Sequence, residues 1–250
     1  MKTLLHQLKY LSGEYGIVGM KHSFEDEGAS LDDVILMRRL TDLCGLLSFI
    51  KIGGCEAKSD IGNCIKYGID GIIAPMVETK FALSKFISIV SNHLSDIQPY
   101  VVLESKTSYR NLDEILDYAE GKLKGVVVGR SDFANSYDLN KSEADSDFIY
   151  NKVENILVRC KKYNLYTTLG GNISKKSIAF IKDMFAKKIL NRIETRNVVI
   201  ELSDFNIENL DNVIRKALEF ETMLMEYKHK KLVVEVEDYS KRIEILTTRI

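Results

Sequence analysis

The chain predicts an α/β fold with a parallel sheet and its helices outside. Two observations predict it. Short, β-branched apolar runs recur near residues 17, 48, 71, 101, 126, 166 and 193. Amphipathic segments long enough for crossover helices separate them. Alternation of this kind fits either a (β/α)8 barrel or an open doubly wound sheet. The 250 residues suffice for one large domain with a sizeable core. With two prolines and no Gly/Ser-rich linker, no domain break is expected before about residue 205.

The elements follow in order. Leu4, Leu5, Leu8 and Leu11 give residues 1–10 a helical stripe. Residues 17–20 then read as a strand, leading into the polar loop 21–28. Ser30 and Asp33 have capping-box spacing and open a helix that stops at Gly45. A strand over 47–52, a helix to Tyr67, a strand over 71–74 and a helix over 78–90 come next. Strands over 100–103 and 125–128 flank a helix carrying Leu112, Ile115, Leu116 and Ala119. Residues 147–163 form a helix with Ile149, Val153, Ile156, Leu157 and Cys160 on one stripe. A strand over 166–169, a helix from Ser174 to Lys188 and a last strand-like run over 192–202 complete the alternation.

The tail is different. From Glu208 to Ile250 there is no Pro or Gly. Leu232, Val236, Tyr239, Ile243, Leu246 and Ile250 keep a heptad seam. The earlier stripe Val213, Ala217, Phe220, Leu224 and Tyr227 is out of phase with it. The division is thus 1–205 for the α/β domain and 206–250 for a C-terminal helix. That helix first packs on the domain and then projects as an arm suited to pairing between subunits.

Composition narrows the function. A formal charge of −1 gives no electrostatic footprint for nucleic acid. No apolar run approaches a membrane span, and the first residues are too polar for a signal peptide. Cys44, Cys55, Cys64 and Cys160 lack C-x-x-C spacing and read as reduced thiols of a cytoplasmic protein.

The chemistry concentrates between Val101 and Asp138. One apolar run ends in Glu104 and the next in Gly129-Arg130-Ser131-Asp132. Two successive parallel strands therefore deliver two carboxylates to the carboxyl edge of the sheet, where such folds place their sites. Paired oxygen donors suit a hard divalent cation such as Mg2+ or Mn2+. Strand-end acids also make caps and salt bridges, so spacing alone leaves both readings open. Further candidates sit at other strand ends. Lys51 can balance charge, form an imine or join an ion pair. His22 or Glu25 can act as a general base. Arg196 can bind a carboxylate or phosphate, or make a structural pair. Glu78 and Asn172 are less specific. There is no phosphate loop, dinucleotide fingerprint or zinc spacing.

The sequence strand-Glu104, Asn111-Leu-Asp-Glu-Ile115, strand-Gly129-Arg-Ser-Asp132 resembles the HpcH/HpaI aldolase and citrate lyase β-subunit family. Gly68-Ile-Asp-Gly-Ile-Ile-Ala-Pro-Met-Val77 is similar to a further strand motif of that family. The resemblance covers roughly Gly68 to Asp138. It implies a (β/α)8 TIM-type barrel with an extended C-terminal helix. Since seven strands are counted, an eighth is expected in the N-terminal part. It implies that Glu104 and Asp132 hold a divalent metal, Mg2+ or Mn2+, and through it a 2-oxo acid. It also implies that the loop Gly129, Arg130, Ser131 receives the substrate carboxylate. The family has Arg where this chain has Lys51. Members often exchange the last helix between subunits, which implies a homo-oligomer. The implied function is a metal-dependent carbon–carbon lyase acting through a pyruvate-like enolate. The alternatives are a Schiff-base aldolase using Lys51 and a non-catalytic barrel serving as an assembly scaffold.

Overall fold

The structure, a computed structural model, describes residues 1–93 and 96–250. Among the described residues, eight strands close into one barrel in chain order. They are β1 (Ile17–Ser23), β2 (Leu47–Lys51), β3 (Gly71–Ala74), β4 (Gln98–Leu103), β5 (Gly125–Gly129), β6 (Tyr166–Gly170), β7 (Arg192–Glu194) and β8 (Val198–Glu201). The outer layer holds α1 (Lys2–Tyr15), α2 (Leu31–Cys44), α3 (Lys58–Lys66), α4 (Lys80–Val90), α5 (Lys106–Arg110), α6 (Leu112–Ala119), α7 (Arg130–Asn135), α8 (Asp147–Lys162), α9 (Ile178–Ala186), α10 (Asp204–Ile207) and α11 (Leu210–Thr247).

The eighth strand is not at the N-terminus. The single run expected over 192–202 divides into β7 and β8, joined by the polar turn Thr195-Arg196-Asn197. The Thr195 N–H donates to the Val198 carbonyl at 3.0 Å and closes that turn. Strands β1 to β7 pair in parallel. The hairpin makes β8 antiparallel to both β7 and β1. A three-residue turn leaves no room for a crossover helix, so the direction must reverse.

Local chemistry explains the helix ends. Ser30 and Asp33 form the expected reciprocal box at the start of α2, and Gly45 in the left-handed region stops it. Thr79 caps α4 and Ser146 caps α8. The stripe Ile149, Val153, Ile156, Leu157, Cys160 of α8 is buried against the barrel. Inside the barrel the Phe49 ring occupies the space that side chains would take at Gly19 and Gly71. A Cβ on those glycines would come within 2.7 and 2.4 Å of the ring. Phe49 meets Tyr100 edge-on, with centroids 5.7 Å apart.

Helix α11 is continuous across the change of phase. Its first half buries Leu210, Val213, Ile214, Ala217, Phe220 and Leu224, packing on α1. Lys228 pairs with Asp33 at 2.9 Å and Lys231 with Asp32 at 3.0 Å, at the N-terminus of α2. Residues 232–250 are all exposed, an arm of about 28 Å at 1.5 Å per residue. No described helix is long and apolar enough to cross a membrane. The four cysteines are free, and burial pushes the Cys64 and Cys160 thiols up to about 12.

Candidate active site

Strand alternation decides which side chains enter the barrel. Phe49, Ile73, Tyr100, Val102 and Val127 face inward. Two residues further along the same strands come Lys51, Glu104 and Gly129, and all three line a cavity of about 570 Å3 at the carboxyl ends. Lys21 and Ser23 of β1 line it too. Among the described residues, the cavity walls carry six carboxyls (Asp26, Glu27, Glu104, Asp132, Glu194, Glu221) and four cations (Lys21, Lys51, Lys141, Arg196). The formal imbalance equals the charge of one divalent cation.

Glu104 is buried at 3% exposure. Burial pushes its carboxyl above the usual carboxylate range, because desolvation and the neighbouring Asp132 and Asp26 charges outweigh Lys51 and one backbone N–H. That N–H belongs to Met76 and donates to Glu104 Oε1 at 3.0 Å. Met76 holds a φ of 52°, rare for a side chain of its kind. The turn after β3 is thus spent on aiming Glu104. On the other side a Cβ at Gly129 would lie 2.9 Å from Glu104 Oε2 and 3.2 Å from Glu104 Cβ. Glycine there is what lets the carboxylate sit across the strand end.

Asp132 is exposed in the first turn of α7. Its charge acts on both Glu104 and Lys51, and its carboxylate has no hydrogen bond or ion pair among the described residues. Glu104 Oε2 has one neighbouring cation, Lys51 Nζ, at 3.7 Å, beyond hydrogen-bond length. Two carboxylates with unspent oxygens therefore face one cavity whose walls lack two positive charges. That donor set fits a hard divalent cation. No three His, Cys, Asp or Glu side chains among the described residues converge on a metal position. The remaining ligands of such a cation would be substrate and water oxygens.

Lys51 donates to Asp26 Oδ2 at 2.7 Å. Burial alone would depress its pKa, but Glu104, Asp26 and Asp132 override it and hold the ammonium above its ordinary range. A neutral amine for imine formation is therefore disfavoured. Asp26 in turn is held below the usual range, since Lys51 and the more distant Lys21 and Arg196 outweigh its desolvation.

Arg130 does not reach the cavity. Its side chain is fully buried and turns back into the protein. It pairs with Asp145 and donates to the Gly170 carbonyl at 3.2 Å, the Gly171 carbonyl at 2.8 Å and Ser177 Oγ at 3.2 Å. Phe180 lies against the guanidinium at 5.1 Å. Arg130 thus ties the loop after β6 to the loop after β5, and it is not among the residues that line the cavity. Gly129 and Ser131 line the cavity, as does the exposed Arg196 in the β7–β8 turn.

His22 is 1% exposed and sits one residue out of step with Lys21. Alternation sends it into the helix layer, away from the cavity. Its Nδ1 lies 2.9 Å from Glu27 Oε2 and 3.0 Å from Asn197 Nδ2. Glu27, not His22, lines the cavity. Glu25 is exposed and lies over Gly53, outside the cavity wall. Asn172 lines the cavity and Glu78 does not.

Lys21 and Glu194 carry no assigned role in the sequence, and Glu221 is not singled out there. Lys21 pairs with Glu194 of β7. Glu221 of α11 accepts from Thr195 Oγ1 at 2.6 Å and from the Asn197 N–H at 2.5 Å, and burial raises its pKa. The last helix thereby holds the hairpin that completes the barrel. Strand parity would have found Lys21 and Glu194; nothing local marks Glu221.

The family model for HpcH/HpaI aldolase/citrate lyase matches residues 54–180. No curated protein matches the chain in sequence. Among solved structures, a HpcH/HpaI aldolase from Desulfitobacterium hafniense is similar, at 11% identity and a TM-score of 0.63, over 78% of this chain and 82% of that one. A HpcH/HpaI aldolase/citrate lyase family protein from Burkholderia cenocepacia superposes with a TM-score of 0.64 at 12% identity, over 88% of this chain and 90% of the other. Citrate synthase SbnG gives 0.62 at 14% identity, over 77% and 81% respectively. At such identities the likeness is one of fold.

Proposed function

The chain belongs to the HpcH/HpaI aldolase/citrate lyase family, and we propose that it is a divalent-metal-dependent carbon–carbon lyase acting on a 2-oxo acid through a pyruvate-like enolate. The observation that carries this reading is the pair Glu104 and Asp132. They are two carboxylates with uncommitted oxygens in a cavity short of two positive charges. They would hold the cation, Mg2+ or Mn2+. When bound it would supply a Lewis acid and a template for the oxo and carboxylate oxygens.

The chain's own residues supply the rest. In the cleavage direction the substrate hydroxyl loses its proton and the carbon–carbon bond breaks. The electron pair stays on the pyruvyl fragment, which then takes up a proton. The Lys51 ammonium, kept charged by Asp26 and Glu104, balances the enolate oxygen as a point charge. The backbone at Gly129 and Ser131 receives the substrate carboxylate. We assign the base to Glu27, with His22 and Asn197 orienting it from behind. The test is pyruvate release from a 4-hydroxy-2-oxo acid, with and without EDTA, in wild type and in Asp132→Ala. Loss of turnover in chelator, restored by Mn2+, and none in the variant support the reading. Unaltered turnover in chelator overturns it.

The arm supports a further reading, that copies of the chain pair through it. Leu232, Val236, Tyr239, Ile243, Leu246 and Ile250 lie on one stripe with no partner among the described residues. Val233, Val234 and Ile245 are exposed beside it. The heptad spacing of the six is that of a coiled-coil seam, so the occupant is a second seam of the same kind.

A further inference from the structure

Helix α11 carries two stripes on opposite sides. Val213, Ala217, Phe220 and Leu224 are buried. Leu218, Thr222, Met225 and His229 are exposed. They extend backwards, at the same alternating spacing of four and three, the seam that runs from Leu232 to Ile250. At 3.6 residues per turn this second stripe lies nearly opposite the buried one, so the barrel on which α11 packs does not cover it. One apolar face thus runs unbroken from the barrel to the tip of the arm.

The charges beside the seam give its direction. Glu235 and Arg242 precede the seam residues Val236 and Ile243, and so stand on one edge of the seam. In a parallel pair, Glu235 would face the partner's Ser240, Arg242 the partner's Thr247, and His229 the partner's His229. No charge pair forms. Acids gather at 235–238 and bases at 241–242, so a parallel pair also sets like against like. In an antiparallel pair like edges meet. Glu235 then faces the partner's Arg242, and symmetry repeats the pair. The seam layers Met225 on the partner's Ile250, His229 on the partner's Leu246, Leu232 on the partner's Ile243 and Val236 on the partner's Tyr239. A slip of one heptad would set Arg242 against the partner's Arg242 and leave Met225 and His229 uncovered. The one like pair in the unslipped register, Lys228 with the partner's Arg249, is relieved because Asp33 holds Lys228 at 2.9 Å.

We propose that the arm binds a second copy of this chain antiparallel over residues 225–250, with Glu235 and the partner's Arg242 as a reciprocal ion pair. This rests on the reading above that copies pair through the arm. It adds the direction, the register and the residues that specify both. Such a pairing is isologous and closes at two copies. The barrels stand at opposite ends of a rod of about 39 Å, at 1.5 Å per residue. The partner's Ile250 comes to Met225, two turns of helix from Leu218, which lines the cavity.

The test is sedimentation equilibrium of the full chain, wild type beside Glu235→Arg, Arg242→Glu and the double variant. Both residues are exposed, so folding is not at stake. Wild type should be a dimer. Each single reversal turns two attractive pairs into repulsive ones and should raise the dimer Kd about tenfold or more. The double variant restores both pairs in reverse and should return to within about threefold of wild type. A Kd that neither single reversal moves fits a parallel pair and overturns the proposal. Weakening by Glu235→Arg that the double variant does not rescue fits the slipped register and overturns it as well. In both cases pairing through the arm stands. A monomeric wild type, or a dimer that survives removal of residues 232–250, overturns both.

Discussion

Gly129→Ala tests the geometry of the acid pair most sharply. Its backbone lies at φ −86° and ψ 87°, so an L side chain costs no left-handed strain. The conflict is purely one of space. The new Cβ meets Glu104 Oε2 at 2.9 Å, Glu104 Cβ at 3.2 Å and Val102 Cγ1 at 3.2 Å. The latter two atoms are anchored close to the backbone and cannot swing away. The carboxylate can, but only by giving up the Met76 N–H on its other oxygen. Overpacking of this kind costs about 1–3 kcal/mol, and each kcal/mol lowers the melting temperature of a chain this size by about 2–4 °C. Displacing a ligating carboxylate should weaken cation binding by about 10–100-fold, the range seen when ligand orientation is lost. Calorimetric titration with Mn2+ beside a thermal melt separates the two effects. A lowered melting point with Mn2+ affinity unchanged within about twofold would show that Glu104 is packed there and is not a ligand.

Other outcomes follow from the same structure. Arg130→Ala leaves the partly buried Asp145 without its cation and empties a fully buried site, and should cost about 3–5 kcal/mol in urea unfolding; a cost near zero would mean the guanidinium is not a tie between loops. Glu104→Gln should abolish Mn2+ binding while leaving the melting temperature unchanged or higher at pH 7. The sign follows from its raised pKa: a carboxyl harder to ionise folded than unfolded costs stability once pH exceeds the unfolded value. Lys51, whose pKa is raised above 10.5, keeps its charge from neutrality to beyond that pH; an activity limb between pH 6 and 9 that vanishes in Lys51→Arg would contradict this. Asp33 is held below 3.8, mainly by Lys228 and the Ser30 cap overcoming its burial. The contribution of this contact is present above that value and lost as pH falls through the folded pKa, so α11 should loosen from α2 only in strong acid, read by amide exchange. Removing residues 232–250 should leave the melting curve in place and convert any oligomer to monomer by light scattering; an oligomer that survives removes the arm from assembly.

Most of the barrel was legible because its signals are local. The Ser30–Asp33 box, the apolar runs of β3 and β5 and the stripe of α8 each state their own conformation. The hairpin was not, because Thr195-Arg196-Asn197 is a polar break three residues long inside an otherwise continuous run. The eighth strand was therefore sought elsewhere. Glu104 and Lys51 stood out in the sequence because each closes an apolar strand, and both line the cavity because they share the parity of the inward residues. Parity also separates Lys21 from His22, which the polar loop had grouped together. Arg130 shows the limit. Its position beside Gly129 is correct, yet a long side chain can turn either way. What turns it inward is Asp145, fifteen residues on, in a loop without regular pattern.

The most direct measurement is an electron paramagnetic resonance titration of the metal-free protein with Mn2+. Wild type should bind one Mn2+ per chain, with the signal of free ion appearing only after one equivalent. Asp132→Ala and Glu104→Gln should show free ion from the first addition. Binding that is equally tight in all three proteins, or absent from wild type, contradicts a cation held between these two carboxylates.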